Sequence, residues 1–151
     1  MKRLFFLVTF ILLAIPSHAQ LNVQSQSEAF ERIGTLRSTY AYVYAQGTTY
    51  FLGIRTSNQF DEGCFFALGN TAESSILTAQ DLIQAANAME KNSYLTVMDA
   101  ESTGANITKK IMLGKPYLVI HMDGKAGESN ITVAELEHAI EIIKEHAHEE
   151  E

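Results

Sequence analysis

The chain has no tryptophan, two prolines and one cysteine in 151 residues. With Cys64 alone there is no internal disulfide, so the fold rests on its apolar core rather than on covalent staples. Pro16 and Pro116 stand far apart, which excludes a proline-rich linker. Bases are scarce, at 11 against 18 acids, and the formal net charge is −7. A nucleic-acid partner needs clustered Lys and Arg, and no such cluster occurs. Long apolar runs are missing after the first twenty residues, and the chemical fingerprints are missing as well. There is no Gly-x-Ser-x-Gly elbow, phosphate loop, dinucleotide fingerprint, EF-hand loop or HExxH pair.

The N-terminus carries one clear signal. Lys2 and Arg3 precede an apolar stretch from Leu4 to Ile15, broken only by Thr9, and Pro16 leads into Ser17-His18-Ala19. That order reads as a secretory signal peptide over residues 1–19, cleaved near Ala19-Gln20. The stretch is shorter than the ~20 apolar residues that span a bilayer. Export, periplasmic or secreted, is the expectation, with no membrane association after cleavage. Removing Lys2 and Arg3 leaves nine bases against 18 acids, a net charge of −9. Two Asn-Ile-Thr sequons, at Asn106 and Asn130, would accept glycans only in a eukaryotic secretory route.

Residues 20–36 read as a polar leader ending in an ambiguous short turn, with Phe30 and Ile33 at helical spacing and Gly34 interrupting them. Period-two patterning begins beyond Ser38. Tyr40, Tyr42 and Tyr44 alternate with Ala41, Val43 and Ala45, a strand pattern. Gln46-Gly47 turns it into a second strand from Thr49 to Arg55, and the short connection predicts a hairpin. Cys64 to Leu68 reads as a third strand. A helix follows with Thr78 as its predicted N-cap and Asp81 three residues on. Lys91-Asn92 is expected to end it, a base near the carbonyl end.

The second half repeats the order. Strands are predicted over Tyr94–Met98, Asn106–Leu113 and Tyr117–Met122, then a helix capped by Thr132 with Glu135. At an offset of 54 residues Thr78 matches Thr132, Leu82 matches Leu136 and Ala85 matches Ala139. Glu73-Ser74-Ser75-Ile76 likewise resembles Glu128-Ser129-Asn130-Ile131. The expected fold is therefore α+β: two strand-strand-strand-helix units, about 37–91 and 93–148, forming one domain over 37–151. Its antiparallel sheet carries both helices on one face. Duplicated strand-then-helix modules of this order resemble the Pur-alpha or whirly type of architecture. The resemblance lies in element order alone, and it carries over no residue. Those proteins bind nucleic acid through basic surfaces, which this acidic chain lacks.

Three groups of residues are candidates for function. If Ala41, Val43 and Ala45 face the helices, Tyr40, Tyr42 and Tyr44 line the open sheet face, where aromatic rings suit a protein partner or a small extracellular ligand. In the opposite orientation the tyrosines pack in the core. A small exported hydrolase-like enzyme is the alternative, using His121 with Asp123 and Cys64, and Asp99 as a further carboxylate. Cys64, among Phe65, Phe66 and Leu68, also reads as a plain core thiol. The tail places His138, Glu141, Glu145 and His148 near one helix side, weak candidates for a divalent metal; a solvated acidic face that frays at its end is the preferred reading of them. No cofactor is implied. The main reading is a binding or assembly module, with homodimerisation through the sheet face as one use of it.

Overall fold

The computed structural model describes residues 29–37, 40–56 and 63–149, and the signal-peptide segment lies outside them. The chain forms two four-stranded antiparallel sheets, each followed by a 17-residue helix. The first sheet contains β1 (Glu31–Arg37), β2 (Ala41–Gln46), β3 (Thr49–Ile54) and β4 (Cys64–Gly69), and α1 (Ala72–Ala88) follows. The second contains β5 (Tyr94–Met98), β6 (Gly104–Met112), β7 (Lys115–Met122) and β8 (Ser129–Thr132), and α2 (Val133–Glu149) follows. Both sheets are simple meanders with the strands in sequence order. The fold is thus α+β with antiparallel sheets, and each half has four strands before its helix rather than three.

The extra strands are the two that patterning reads least well. Residues 31–37 form β1 rather than a helical turn. Two register shifts, between Arg32 and Gly34 and between Thr35 and Arg37, break the alternation that would mark a strand. Gly34 is required there because Ile142 of α2 sits where a Cβ would be. Ser129-Asn130-Ile131-Thr132 forms β8, paired with Tyr117–Ile120. The similar Glu73-Ser74-Ser75-Ile76 lies inside α1. One four-residue pattern therefore adopts two conformations, and its recurrence does not mark equivalent positions.

Helix α1 starts seven residues before the expected cap. Thr71 is the N-cap: its Oγ1 accepts from the Ser74 amide at 3.1 Å, and Ser74 Oγ accepts from the Thr71 amide at 3.1 Å. Thr78 lies two turns inside and donates to the Ser74 carbonyl. The expected cap on α2 is present, with Glu135 Oε2 accepting from the Thr132 amide at 2.8 Å and the Glu135 amide donating to Thr132 Oγ1. The two caps are therefore Thr71 and Thr132, 61 positions apart. At that spacing buried Ser75, Ala79 and Leu82 align with buried Leu136, Ile140 and Ile143. The offset of 54 sets Thr78, an interior helix residue, against the cap Thr132, whereas matching cap to cap gives 61.

A single core joins the halves. Ala41, Val43, Leu52, Phe66, Ile107, Leu118, Ile120, Ile131, Leu136 and Ile143 all belong to one buried cluster. The helices pack on each other, α1 also against β4 and β3, α2 against β1 and β8. Polar ties reinforce the joint. Arg37 of β1 forms a forked pair with Glu135 of α2, Nε to Oε1 at 2.5 Å and Nη2 to Oε2 at 2.6 Å. Lys109 of β6 reaches the carbonyl end of α1, donating to Asn87 O at 3.0 Å and Met89 O at 2.6 Å. That base takes the role expected of Lys91, which is exposed. No helix among the described residues is long and apolar enough to cross a membrane.

Candidate binding face

The β2–β3 hairpin places the tyrosines. Its two-residue turn at Gly47-Thr48 fixes the pairing of Tyr42 with Gly53, Val43 with Leu52 and Tyr44 with Phe51. Ala41, Val43 and Ala45 are buried in the core, small enough for close packing. Tyr42 and Tyr44 consequently point to the outer face of the first sheet, both partly exposed, and Tyr40 in the preceding turn is 52% exposed.

The same face carries three aromatic rings that the tyrosine pattern does not announce. Phe65 of β4 pairs with Gly53 and is 49% exposed. Its ring stands 5.3 Å from Tyr44, and Tyr42 and Tyr44 meet edge-on at 6.1 Å. Gly53 makes this possible: Tyr44 lies across it, and any Cβ would overlap the ring. Phe51, which pairs with Tyr44, is covered by Phe30 at 5.0 Å, and Phe30 also meets Phe65 at 5.7 Å. Arg32 holds its guanidinium carbon 4.9 Å above the Tyr42 ring, a cation–π contact at the margin. The signal for Phe51 and Phe65 was present in period-two alternation, where both fall opposite the core-facing Leu52 and Phe66.

Beyond Phe65 the face drops into a recess of about 520 Å³ lined by Gly63, Phe65, Thr103, Met122, Asp123 and Lys125. Asp123 is anchored through its amide, which donates to the Gly104 carbonyl at 2.9 Å, and its carboxylate lies over Gly104. Aromatic surface thus adjoins one carboxylate and one ammonium group. A second, more apolar hollow of about 530 Å³ lies between the β6–β7 turn and the start of α2, with Met112, Leu113, Tyr117 and Val133 among its walls.

Two residues of the alternative catalytic grouping face opposite ways, Cys64 into the core and His121 outward. Cys64 faces the core, where burial and then the charge of Asp99 push its thiol up to about 12. His121 alternates with core-facing Ile120 and Met122, and so points outward from the second sheet opposite Asn106. Asp99 is occupied structurally. Its Oδ2 accepts from the Ala67 amide at 3.1 Å, and its Oδ1 accepts from the amides of Glu101 and Thr103 at 3.0 and 2.8 Å. In the tail, His138, Glu141, Glu145 and His148 are exposed along α2, and His146 instead meets the Tyr50 hydroxyl at 3.2 Å. Among the described residues no group of three or more His, Cys, Asp or Glu side chains is arranged to hold a metal ion.

The carboxyl of Glu135 is also moved from its ordinary value. Its partial burial works to raise the pKa, but hydrogen bonds from Arg37 and Thr132, with the Arg37 charge, outweigh it and hold the carboxyl below its ordinary value. Its part is to join α2 to β1. Compared with known protein families, curated proteins and solved structures, the chain matches none of the three.

Proposed function

We propose that the protein is an exported binding or assembly module that engages a protein or a small extracellular ligand through the outer face of its first sheet. Tyr40, Tyr42 and Tyr44 form the contact surface, extended by Phe30 and Phe65 and bordered by Arg32 and Asp123. The observation that carries this reading is the continuity of the aromatic rings on the side of the sheet away from the core. Phe30, Phe51, Phe65, Tyr42 and Tyr44 form an unbroken series of ring contacts there. Contiguous apolar surface that is left open marks interaction sites in soluble proteins. Tyr, Phe and Arg are the residue types enriched at the centres of such sites. Export rests on the basic start, the apolar run from Leu4 to Ile15 and the small-residue site at Ser17-His18-Ala19.

The test is a nuclear magnetic resonance titration of the mature chain with soluble oligosaccharides and with aromatic-rich peptides. Binding should move resonances of Tyr42, Tyr44, Phe65 and Asp123 together, and Tyr42→Ser with Tyr44→Ser should abolish it. Binding that perturbs only the second sheet or α2, and survives the double substitution, would overturn the proposal.

A further inference from the structure

Two four-stranded sheets have four edges, and the fold blunts three of them. On the first sheet, β1 is broken by two register shifts and carries Glu31, Arg32 and Arg37. Bulges and charges are the ordinary protection of a sheet edge. The outer edge of β4 is taken up by the other half: the Ala67 amide donates to Asp99 Oδ2, and its carbonyl accepts from the Ala100 amide at 3.0 Å. On the second sheet, β8 has only four residues and abuts β3, with Ser129 Oγ donating to the Ile54 carbonyl at 3.0 Å.

The fourth edge, β5, has none of these devices. Tyr94-Leu95-Thr96-Val97-Met98 contains no charge, proline or register shift. The ladder shows which of its backbone groups are spare. The Lys109 amide donates to Ser93 O and the Asp99 amide to Thr103 O, so alternate residues from Ser93 to Asp99 face β6. The N–H and C=O groups of Tyr94, Thr96 and Met98 therefore point away from the sheet, and among the described residues they meet no hydrogen-bond partner. Tyr94 and Met98 are also highly exposed, at 72% and 65%.

We infer that β5 pairs antiparallel with β5 of a second copy of this chain, joining two four-stranded sheets into one of eight. A second copy fits because the strand is complementary to itself. A two-fold axis at Thr96 sets Thr96 opposite Thr96 and Tyr94 opposite Met98, an aromatic–thioether pair on each side. The three outward residues of each strand then exchange about six backbone hydrogen bonds. No like charges meet, although the chain as a whole carries −7. The two-fold consumes both edges, so the assembly closes at two. This surface is distinct from the aromatic face, and Tyr42→Ser with Tyr44→Ser leaves the pairing intact.

The experiment is sedimentation velocity on the full mature chain over a range of about 1 to 500 µM, where a short edge-to-edge interface is expected to associate. The native protein should pass from monomer to dimer and no further. Thr96→Lys and Thr96→Glu each place like charges face to face and should move the midpoint at least tenfold, while an equimolar mixture of the two should restore the dimer. Thr96→Cys should form a disulfide-linked dimer on mild oxidation, since the only native cysteine is buried. That variant also decides the matter if a charged variant fails to fold. A native chain that stays monomeric across the range, or a dimer indifferent to both charged variants and not cross-linked through Thr96→Cys, would overturn the inference.

Discussion

Lys109→Met is the sharpest test of how the halves are held together. Lys109 is a buried residue whose ammonium reaches the last carbonyls of α1, two hydrogen bonds from one charged donor. A hydrogen bond from a charged group contributes roughly 1.5–3 kcal/mol, and a cation at a helix C-terminus adds about 0.3–1 kcal/mol. Against these stands the cost of desolvating the ammonium, which methionine does not incur. Methionine keeps the methylene stem in place, so little packing is lost. The balance is a destabilisation of about 2–3 kcal/mol. Urea unfolding followed by far-ultraviolet circular dichroism measures it, with the slope expected to stay constant because the surface exposed on unfolding is unchanged. Lys110→Met is the control: its ammonium meets Asn92 Oδ1 at 3.3 Å on the outer face, and the change should stay within about 0.5 kcal/mol. A Lys109→Met effect as small as that of Lys110→Met would show that the carbonyl contacts contribute nothing net and would refute the reasoning.

Three further outcomes are expected. The carboxyl of Glu135 is held below its ordinary value, so its contribution is fully present above the unfolded pKa of about 4.3 and lost as pH falls through the folded value. Glu135→Gln should therefore lower stability near neutral pH by about 1–2 kcal/mol, allowing for the part-exposed Arg37, and the difference should shrink in acid melts below about pH 4. Cys64, with its thiol pushed up to about 12, should resist thiol reagents in the native state at pH 8 and react at once in denaturant, as mass spectrometry would show. Gly53→Ala should drive the Tyr44 ring off the sheet at a cost of about 1–3 kcal/mol, visible as displaced aromatic resonances of Tyr44 and Phe65.

Much of the architecture was legible in local patterns. Alternation marked β2, and the short turn marked its hairpin with β3. The Thr132–Glu135 box marked the start of α2. These features depend on neighbours within four residues, where geometry leaves little choice. Elements whose form depends on distant groups were read less well. β1 carries two bulges that make sense only under Ile142 and Glu135, and Ser129–Thr132 became a strand because Tyr117–Ile120 offered it an edge. Thr71 and Thr78 are both plausible caps, and the choice fell to Thr71 because Ser75 lies buried in the core-facing stripe one turn upstream of Ala79.

The tyrosine face shows the same division. Sequence alone determined that Tyr40, Tyr42 and Tyr44 share a side opposite Ala41, Val43 and Ala45, because a strand has a period of two. Which side meets the core was decided by packing: the small residues admit the helices, and the rings are left outside. The gathering of Phe30, Phe51 and Phe65 beside those tyrosines, and the opposite facing of Cys64 and His121, belong to the tertiary structure. Such encounters arise from pairing between strands, and the chain carries no local record of which distant residue it will meet.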